Sequence, residues 1–364
     1  MKILLITGSY PPLACGVGDY SHSLAKALSA IPGISVSVLT SLGGREQQDS
    51  EVKVFPIMEA WGLAEACRVI RVIRRCSPDI IHIQYPSQGY KKGSLPWILP
   101  LIAFLSSSKV AQTWHEIYMD SFIPHILPMA LTPGTVVVVR PEYARRLGPR
   151  LQRLTQKRKF VFIRSGAAIP RAELSDREKT DRRNKYAPPE KRLLVFFGFV
   201  YRHKGAELLF DIADPETDRI VIAGQLGNEE EYCRRLVGRA STEPWLGKVT
   251  ITGHLPVAEV AALLCVADAV VLPFKVGGGE WNTSIHGAVA QGTFVLTTSQ
   301  FKNGYDPESN VYFSKIDDVE EMKIALRTYA GKRRNEPSGS IPDDWKRIAV
   351  AHYQVYDDLM KAAG

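Results

Sequence analysis

Lys2-Ile-Leu-Leu-Ile-Thr7, then Gly8-Ser-Tyr-Pro-Pro-Leu-Ala-Cys-Gly16-Val-Gly18, then Asp19-Tyr-Ser-His-Ser-Leu-Ala-Lys-Ala-Leu-Ser-Ala30 open the chain and set the pattern that decides its fold. An apolar run of strand length passes through a glycine-bearing loop into a segment whose apolar residues, Tyr20, Leu24, Ala27 and Leu28, recur at helical spacing. The pattern repeats. Ile34–Thr40, Val52–Pro56, Asp79–Ile83, Lys109–Thr113 and Thr135–Val139 read as strands. Leu63–Cys76 reads as an amphipathic helix that sets Arg68, Arg71, Arg74 and Arg75 against Ala64, Cys67, Ile70 and Ile73. Short apolar strands alternating with helices predict parallel β-α-β units and a doubly wound sheet.

The polar stretch Arg171–Lys191 breaks this alternation and reads as a flexible segment near a domain joint. The alternation then restarts, with strands at Leu193–Phe197, Arg219–Ala223, Val249–Thr252, Ala269–Leu272 and Phe294–Thr297. Helices are expected at Lys204–Ile212, Glu229–Arg239, Val257–Cys265, Asn282–Gln291 and Val319–Ala330, and, after a Pro/Gly/Ser-rich linker Glu336–Pro342, at Asp344–Ala362. The fold class is therefore α/β, with two Rossmann-like domains in series. The boundaries read as 1–165 and 166–343, with 344–364 as a helix crossing back to the first domain. Ligands of open parallel sheets lie beyond the carboxyl ends of strands, so two such domains facing each other are expected to enclose a cleft.

The length of 364 residues suits two domains, and 45% hydrophobic residues suit two packed cores. The net charge of +8 is uneven: residues 1–164 hold 20 Lys+Arg against 10 Asp+Glu, and residues 165–364 hold 26 against 28. A basic first half attracts phosphates, nucleic acid or an anionic membrane surface, and a solvated basic face explains it equally. Cys15, Cys67, Cys76, Cys233 and Cys265 form no C-x-x-C pair and read as reduced, mostly buried thiols. Met1–Thr7 is too short for a signal peptide. Leu95–Leu105, broken by Pro96 and Pro100, is too short for a membrane span, though not for lying on a membrane surface. A cytoplasmic chain is expected, with peripheral contact to the inner face of the plasma membrane as one use of its basic half.

Gly16 and Gly18 precede a helix whose free amides and dipole favour an anion. The loop is longer than the dinucleotide fingerprint and lacks its third glycine, so alone it also fits a plain tight turn. With its surroundings it resembles the opening of the retaining nucleotide-sugar glycosyltransferases of family four. Pro78-Asp-Ile-Ile-His-Ile-Gln-Tyr85 and Thr113-Trp-His-Glu116 are similar to two further landmarks of that family. So are Phe197-Gly-Phe-Val-Tyr-Arg-His-Lys204-Gly205, Ile222-Ala-Gly-Gln225, Gly253-His-Leu-Pro256, Ala267-Asp-Ala-Val-Val-Leu-Pro273, Gly277-Gly-Gly-Glu-Trp-Asn-Thr-Ser284 and Ala288-Val-Ala-Gln-Gly-Thr-Phe-Val-Leu-Thr-Thr298. Trp345 and Tyr356 close the series, which touches nearly the whole chain in the family's order. The resemblance implies the GT-B fold, two Rossmann-like domains around a cleft, with a nucleotide-diphosphate sugar as donor and a hydroxyl group as acceptor.

Departure of a nucleotide diphosphate builds negative charge, so the site needs fixed cations or dipoles. The family's Lys-Gly lysine contacts the diphosphate, which implies that role for Lys204. The arginine that usually follows the glycine at Gly198 is Phe199 here, and Arg202 is its candidate replacement; an ordinary surface Lys/Arg pair is the plainer reading. In Gly277–Ser284 three glycines let the backbone approach phosphate oxygens, with Asn282 or Thr283 as helix cap and the amides of Asn282–Ile285 completing a cradle. Gly16, Gly198, Gly224, His254, Leu255, Gly278, Gly279, Asn282, Thr283 and Ser284 are the implied donor-binding set.

The same loop departs from the family. Its two glutamates, eight residues apart, align with Gly279 and Gly287. Glu280, one residue from the first position, is the candidate for the sugar hydroxyls; His286 neighbours the second, Glu308 lies too far along, and no residue is assigned to the ribose. His115 stands where the family places a histidine against the donor sugar, and Asp19 and Glu116 are candidates for acceptor hydroxyls. His22, His82 and His125 read as structural. Neither Asp-x-Asp nor a His/Cys set with ligand spacing occurs, so no metal or other cofactor is expected. The arginines of Arg68–Arg75, with Lys91, Lys92, Arg145, Arg146, Arg150 and Arg153, suit anionic lipid or a lipid-linked or phosphate-bearing acceptor, and suit a solvated face nearly as well.

The expected function is thus retaining, metal-independent glycosyl transfer in cell-surface polysaccharide or glycolipid assembly. Two alternatives stand beside it: a non-catalytic relative that binds a nucleotide sugar or glycan, and a nucleotide-sugar epimerase of similar fold. Nucleic-acid binding finds no reader motif.

Overall fold

The computed structural model describes every residue except Ala14, 46–50, 117–122, 132–134, Glu142, Lys157, Ala168, 228–229, 280–281, 335–340 and 363–364, and leaves out the side chains of 123–125, Arg150 and 341–343. The chain divides into two compact units, Met1–Gly166 with Pro342–Gly364, and Ala167–Ile341.

The first unit is built on seven parallel strands: β1 (Lys2–Ile6), β2 (Ser35–Ser41), β3 (Lys53–Met58), β4 (Ile80–Tyr85), β5 (Lys109–Trp114), β6 (Val136–Val138) and β7 (Phe160–Phe162). Their order is β3-β2-β1-β4-β5-β6-β7, so the direction of winding reverses between β1 and β4. Every residue of β4 is buried, as an apolar run covered on both faces requires. The helix Gly16–Ser29 buries Tyr20, Leu24 and Leu28 of the stripe read from its spacing, with Ala25 rather than Ala27 as the buried alanine. The final helix, Ile341–Lys361, belongs to this unit. Trp345 lies edge-on to Tyr20 at 5.3 Å, and the Tyr356 hydroxyl meets His82 Nδ1 at 2.6 Å. Gly166 leaves room for it: a Cβ there would stand 2.9 Å from Ile348 and Trp345.

The second unit repeats the plan with β8 (Arg192–Phe197), β9 (Asp218–Ala223), β10 (Val249–Gly253), β11 (Ala269–Leu272), β12 (Val295–Thr298), β13 (Gly304–Asp306) and β14 (Val311–Ser314). The order is β10-β9-β8-β11-β12-β14-β13, with β13 antiparallel at the edge and the winding reversed between β8 and β11. Leu193–Phe196, Ile220–Ala223 and Ala269–Leu272 form the centre of its core.

Four expectations need correction. Within Arg171–Lys191 lies a helix, Asp176–Asn184, closed by a capping box in which Ser175 and Glu178 satisfy each other's backbone amides. Lys204–Ile212 is two short 3₁₀ turns, Arg202–Lys204 and Ala206–Leu208, and a single helical turn, Leu209–Ile212, because Gly205 takes φ +71° between them. Leu63–Cys76 begins as a 3₁₀ turn and becomes α-helical at Ala66. Of the cysteines only Cys15 and Cys233 are buried. No helix among the described residues is long and apolar enough to cross a membrane.

Candidate functional site

Ligands of such sheets collect where the winding reverses, beyond the carboxyl ends of the strands. In the second unit that place lies between β8 and β11, and its surface is backbone. Gly198 follows β8 at φ +122°, which favours glycine, and its N–H donates to Ala223 O at 3.0 Å. A Cβ on Gly224, which follows β9, would lie 1.9 Å from the Gly198 carbonyl oxygen, so neither strand end can carry bulk there. Gly224 also bridges to Gly253 at the end of β10, which brings the next predicted pair alongside. Of that pair His254 is exposed, whereas Leu255 is half-buried against the unit's core.

The helix Thr283–Ala290 starts at this point. Asn282 is its N-cap: the side-chain oxygen accepts from Ser284 N at 3.0 Å, and its carbonyl accepts from Ile285 N at 3.1 Å and His286 N at 3.2 Å. First-turn amides have no acceptor within a helix, and the dipole makes this end positive. The end points at Gly198, since a Cβ on Gly198 would stand 3.2 Å from Ser284 Oγ.

The glycines before the helix are held in place. Gly277 takes φ +81° and donates to Phe274 O at 3.1 Å, and Gly278 N donates to Thr298 O at 2.6 Å. A Cβ on Gly278 would be 2.6 Å from Thr297 Oγ1 and 2.9 Å from the Phe274 ring. Thr297 and Thr298, both buried, spend their hydroxyls on the carbonyls of Leu272 and Phe274 at 2.8 and 2.5 Å. Gly279 completes the run, and its carbonyl accepts from Asn282 N at 2.9 Å.

Lys204 reaches this loop from the other side. Its Nζ lies 4.8 Å from the centre of the Phe274 ring, a cation–π contact with the ring that also walls Gly278. Gly205 makes that approach possible, because a Cβ on it would collide with Pro273 O at 2.2 Å. The loop's other cation, Lys275, is paired with Glu207 at 2.6 Å, and Glu207 accepts from the Tyr232 hydroxyl at 2.6 Å. Burial, then that bond to Glu207, raises the Tyr232 pKa. Arg202 opens the same 3₁₀ turn as Lys204 and is exposed.

Lys204, Gly198, Gly224, His254, Gly278, Gly279, Asn282, Thr283 and Ser284 are thus placed at the carboxyl ends of β8 to β11. Glu280 lies outside the described residues. The position aligned with the family's second glutamate, Gly287, is buried, and a Cβ there would stand 3.0 Å from Ile169 Cγ1. That face of the helix is a packing face.

In the first unit Gly16 begins its helix, exposed, with open space before its Cα, and Asp19 stands exposed in the first turn. His115 follows β5 and packs edge-on against Tyr20 at 4.8 Å. With Gln84 accepting through Oε1 at 2.9 Å, His115 Nε2 carries the proton. Burial, with His352 and Arg140 nearby, pushes the His115 pKa down to about 3, so the ring is neutral at pH 7. Glu116 is exposed and ion-paired to Arg140. His82 is buried between Tyr356 and Thr113, and the half-buried His22 lies against Tyr10, whereas the side chain of His125 lies outside the description.

Gln84 was not foreseen in the sequence. It is fully buried, and its Nε2 has no partner among the described residues. The signal was present: His82 and Gln84 are polar intrusions in the apolar run of β4. Among the described residues no three His, Cys, Asp or Glu side chains converge as a metal-binding group.

Residues 191–330 match the family described as glycosyl transferases group 1. No curated protein matches the sequence. Sucrose-phosphate synthase from Thermosynechococcus elongatus superposes with a TM-score of 0.73 at 16% identity over 100% of both chains. The catalytic domain of starch synthase IV from Arabidopsis thaliana, bound to ADP and acarbose, gives 0.72 at 13% identity over 99% of each chain. HepE from Anabaena, in complex with UDP and glucose, gives 0.69 at 14% identity over 100% of this chain and 99% of that one. At these identities the likeness speaks for the fold. This chain carries a match to the group 1 glycosyl transferases over residues 191–330 and has, over its length, the two-domain GT-B fold of those enzymes.

Proposed function

We propose that this protein is a retaining glycosyltransferase that moves a sugar from a nucleotide-diphosphate sugar to a hydroxyl acceptor. The observation that carries the reading is the convergence of the capped N-terminus of helix Thr283–Ala290, the pinned glycines Gly277–Gly279 and Lys204 beyond the carboxyl ends of β8 and β11. Backbone amides at a helix start and a lysine suit a diphosphate, and they gain most as the bond to the sugar breaks and charge gathers on the leaving phosphate. The group 1 match over the same unit supports the reading, as do the bound UDP and ADP in two proteins of the same fold.

On this reading Lys204, with Arg202, and the helix terminus neutralise the diphosphate without a metal ion. The neutral His115, its Nε2–H donating to Gln84, offers Nδ1 as a hydrogen-bond acceptor rather than a charge, and Asp19 and Glu116 are the acceptor-side candidates. Glu280 remains the candidate for the sugar hydroxyls. The acceptor would belong to cell-surface glycan or glycolipid assembly, reached by a chain resting peripherally on an anionic membrane through its basic first half. Incubating the protein with UDP-, GDP-, ADP- and TDP-sugars and a panel of hydroxyl acceptors tests this, with the anomeric configuration of the product read by NMR. A transferred sugar of retained configuration supports the proposal, and an inverted product overturns retention.

A second reading has one observation in its favour: both glutamate positions are glycine, and Gly287 is sealed against Ile169. A non-catalytic nucleotide-sugar binder would tolerate that loss. Tight donor binding with neither transfer nor hydrolysis would favour it.

A further inference from the structure

At the opposite, amino-terminal ends of the second sheet's strands lies a cavity of about 650 Å³, a volume within the range of small-molecule sites. Its walls come from the segment after Ala167, the helix Asp176–Asn184, the end of the helix Val257–Val266 and the residues following the helix Val319–Tyr329. Five cations line it: Arg171, Lys179, Arg183, Arg333 and Arg334. Among the described residues two carboxylates in its lining oppose them, Glu173 and Asp268. Asp268 is already engaged, with Arg183 at 2.8 Å and with the Leu193 amide at 2.7 Å.

Two of the guanidinium groups are fixed in place by the fold. Arg183 donates to Lys191 O at 2.7 Å, and Arg333 donates to Thr293 Oγ1 at 2.5 Å and Ala267 O at 2.7 Å. The wall carrying Arg171 is fixed by Gln291, which accepts from Ala172 N and donates to Pro170 O, both at 2.8 Å. Among the described residues Arg171 and Arg334 form no side-chain ion pair. Arg183 and Arg333 spend N–H groups on the protein, so Arg171 and Arg334 add charge to a wall that is already cationic, and guanidinium forks around a cavity suit a phosphate through paired N–H···O bonds.

We propose that this cavity binds a phosphate-bearing small molecule at a site separate from the one beside Lys204. The proposal is independent of whether the protein transfers a sugar. It is tested on the full chain with inorganic phosphate and pyrophosphate as probes, against chloride at equal ionic strength. In Lys204→Ala, where the diphosphate site is weakened, phosphate is still expected to raise the melting temperature saturably, and to lose that effect when the double substitution Arg171→Gln/Arg334→Gln is added. In the wild type it should slow phenylglyoxal modification of Arg171 and Arg334 at least threefold, read by mass spectrometry, and leave Arg177, whose side chain is 92% exposed, unprotected. Equal protection of all three arginines, or a phosphate shift in Lys204→Ala that Arg171→Gln/Arg334→Gln leaves unchanged, overturns the proposal. Should the double variant fail to fold, the protection experiment on the wild type decides alone.

Discussion

Gly224 and Gly198 stand so close that a methyl group on the first would lie 1.9 Å from the carbonyl oxygen of the second. The floor of the candidate donor site is therefore two adjacent strand ends in backbone contact. Gly224→Ala is expected to force those ends apart and to lower the stability of the second unit by about 2 kcal/mol or more, as overpacking does. Chemical denaturation followed by circular dichroism measures this; an unchanged midpoint would show that the contact is not needed.

Lys204 should matter through its charge and Lys275 should not. Lys204→Ala is expected to leave the fold intact and to reduce kcat/KM by roughly a hundredfold, the scale for losing one preorganised contact to a developing anion. Lys275→Ala removes only a partly exposed ion pair with Glu207, worth less than about 1 kcal/mol, and turnover should stay within a few-fold of wild type. Steady-state kinetics on the pair separates the two roles.

Asn282→Ala removes the cap of the helix that points at Gly198. A loss of about 1 kcal/mol in stability is expected, together with weaker nucleotide binding, because the Ser284 amide loses the partner that orients it. Calorimetric titration with the nucleotide should show the affinity falling while Asn282→Asp, which keeps a cap, stays near wild type.

Restoring the family's second glutamate should fail. Gly287→Glu would press a carboxylate against Ile169 and Leu264, and burying it unpaired is expected to cost several kcal/mol. The variant should melt well below wild type and show no gain in donor affinity. Tighter donor binding would mean that the helix can turn this face outward.

The first unit carries an acid-sensitive core. His352 donates from Nδ1 to Ile348 O at 2.8 Å and accepts the Tyr20 hydroxyl at Nε2 at 3.3 Å, and burial holds its pKa near 4. His82 is pushed well below the usual value, mainly by burial and then by His352 and His115. Each ring takes up a proton in the unfolded chain near pH 6.5, before it does so in the folded one. The stability from the neutral rings is thus full above pH 6.5 and is lost as pH falls towards 4, by about 3 kcal/mol for His352 alone. Melting temperatures between pH 7.5 and 4.5 should fall steeply in the wild type and less steeply in His352→Gln.

Much of this was legible in the sequence because buried parallel strands are continuous apolar runs. Ile80-Ile-His-Ile-Gln-Tyr85 and Leu193-Leu-Val-Phe-Phe197 announce themselves, and Asn282 before an apolar helix announces a cap. The helix Asp176–Asn184 was missed because it buries no residue; its formation rests on the Ser175–Glu178 box, a local signal hidden among charges. The break after Lys204 was missed because a left-handed glycine at 205 is required by Pro273, nearly seventy positions away. The same holds for Gly287: alignment offers it as a place for a ribose contact, and only the packing of Ile169 against it shows otherwise.

The claim on which the rest depends is that the second unit holds a nucleotide-diphosphate sugar beside Lys204 and the start of helix Thr283–Ala290. A thermal-shift titration with UDP-, GDP-, ADP- and TDP-sugars, run in parallel on the wild type and on Lys204→Ala, measures it directly. At least one donor should raise the wild-type melting temperature by several degrees at millimolar concentration, with the shift largely abolished in the variant. Four donors without effect on the wild type, or a shift undiminished in Lys204→Ala, would contradict the account.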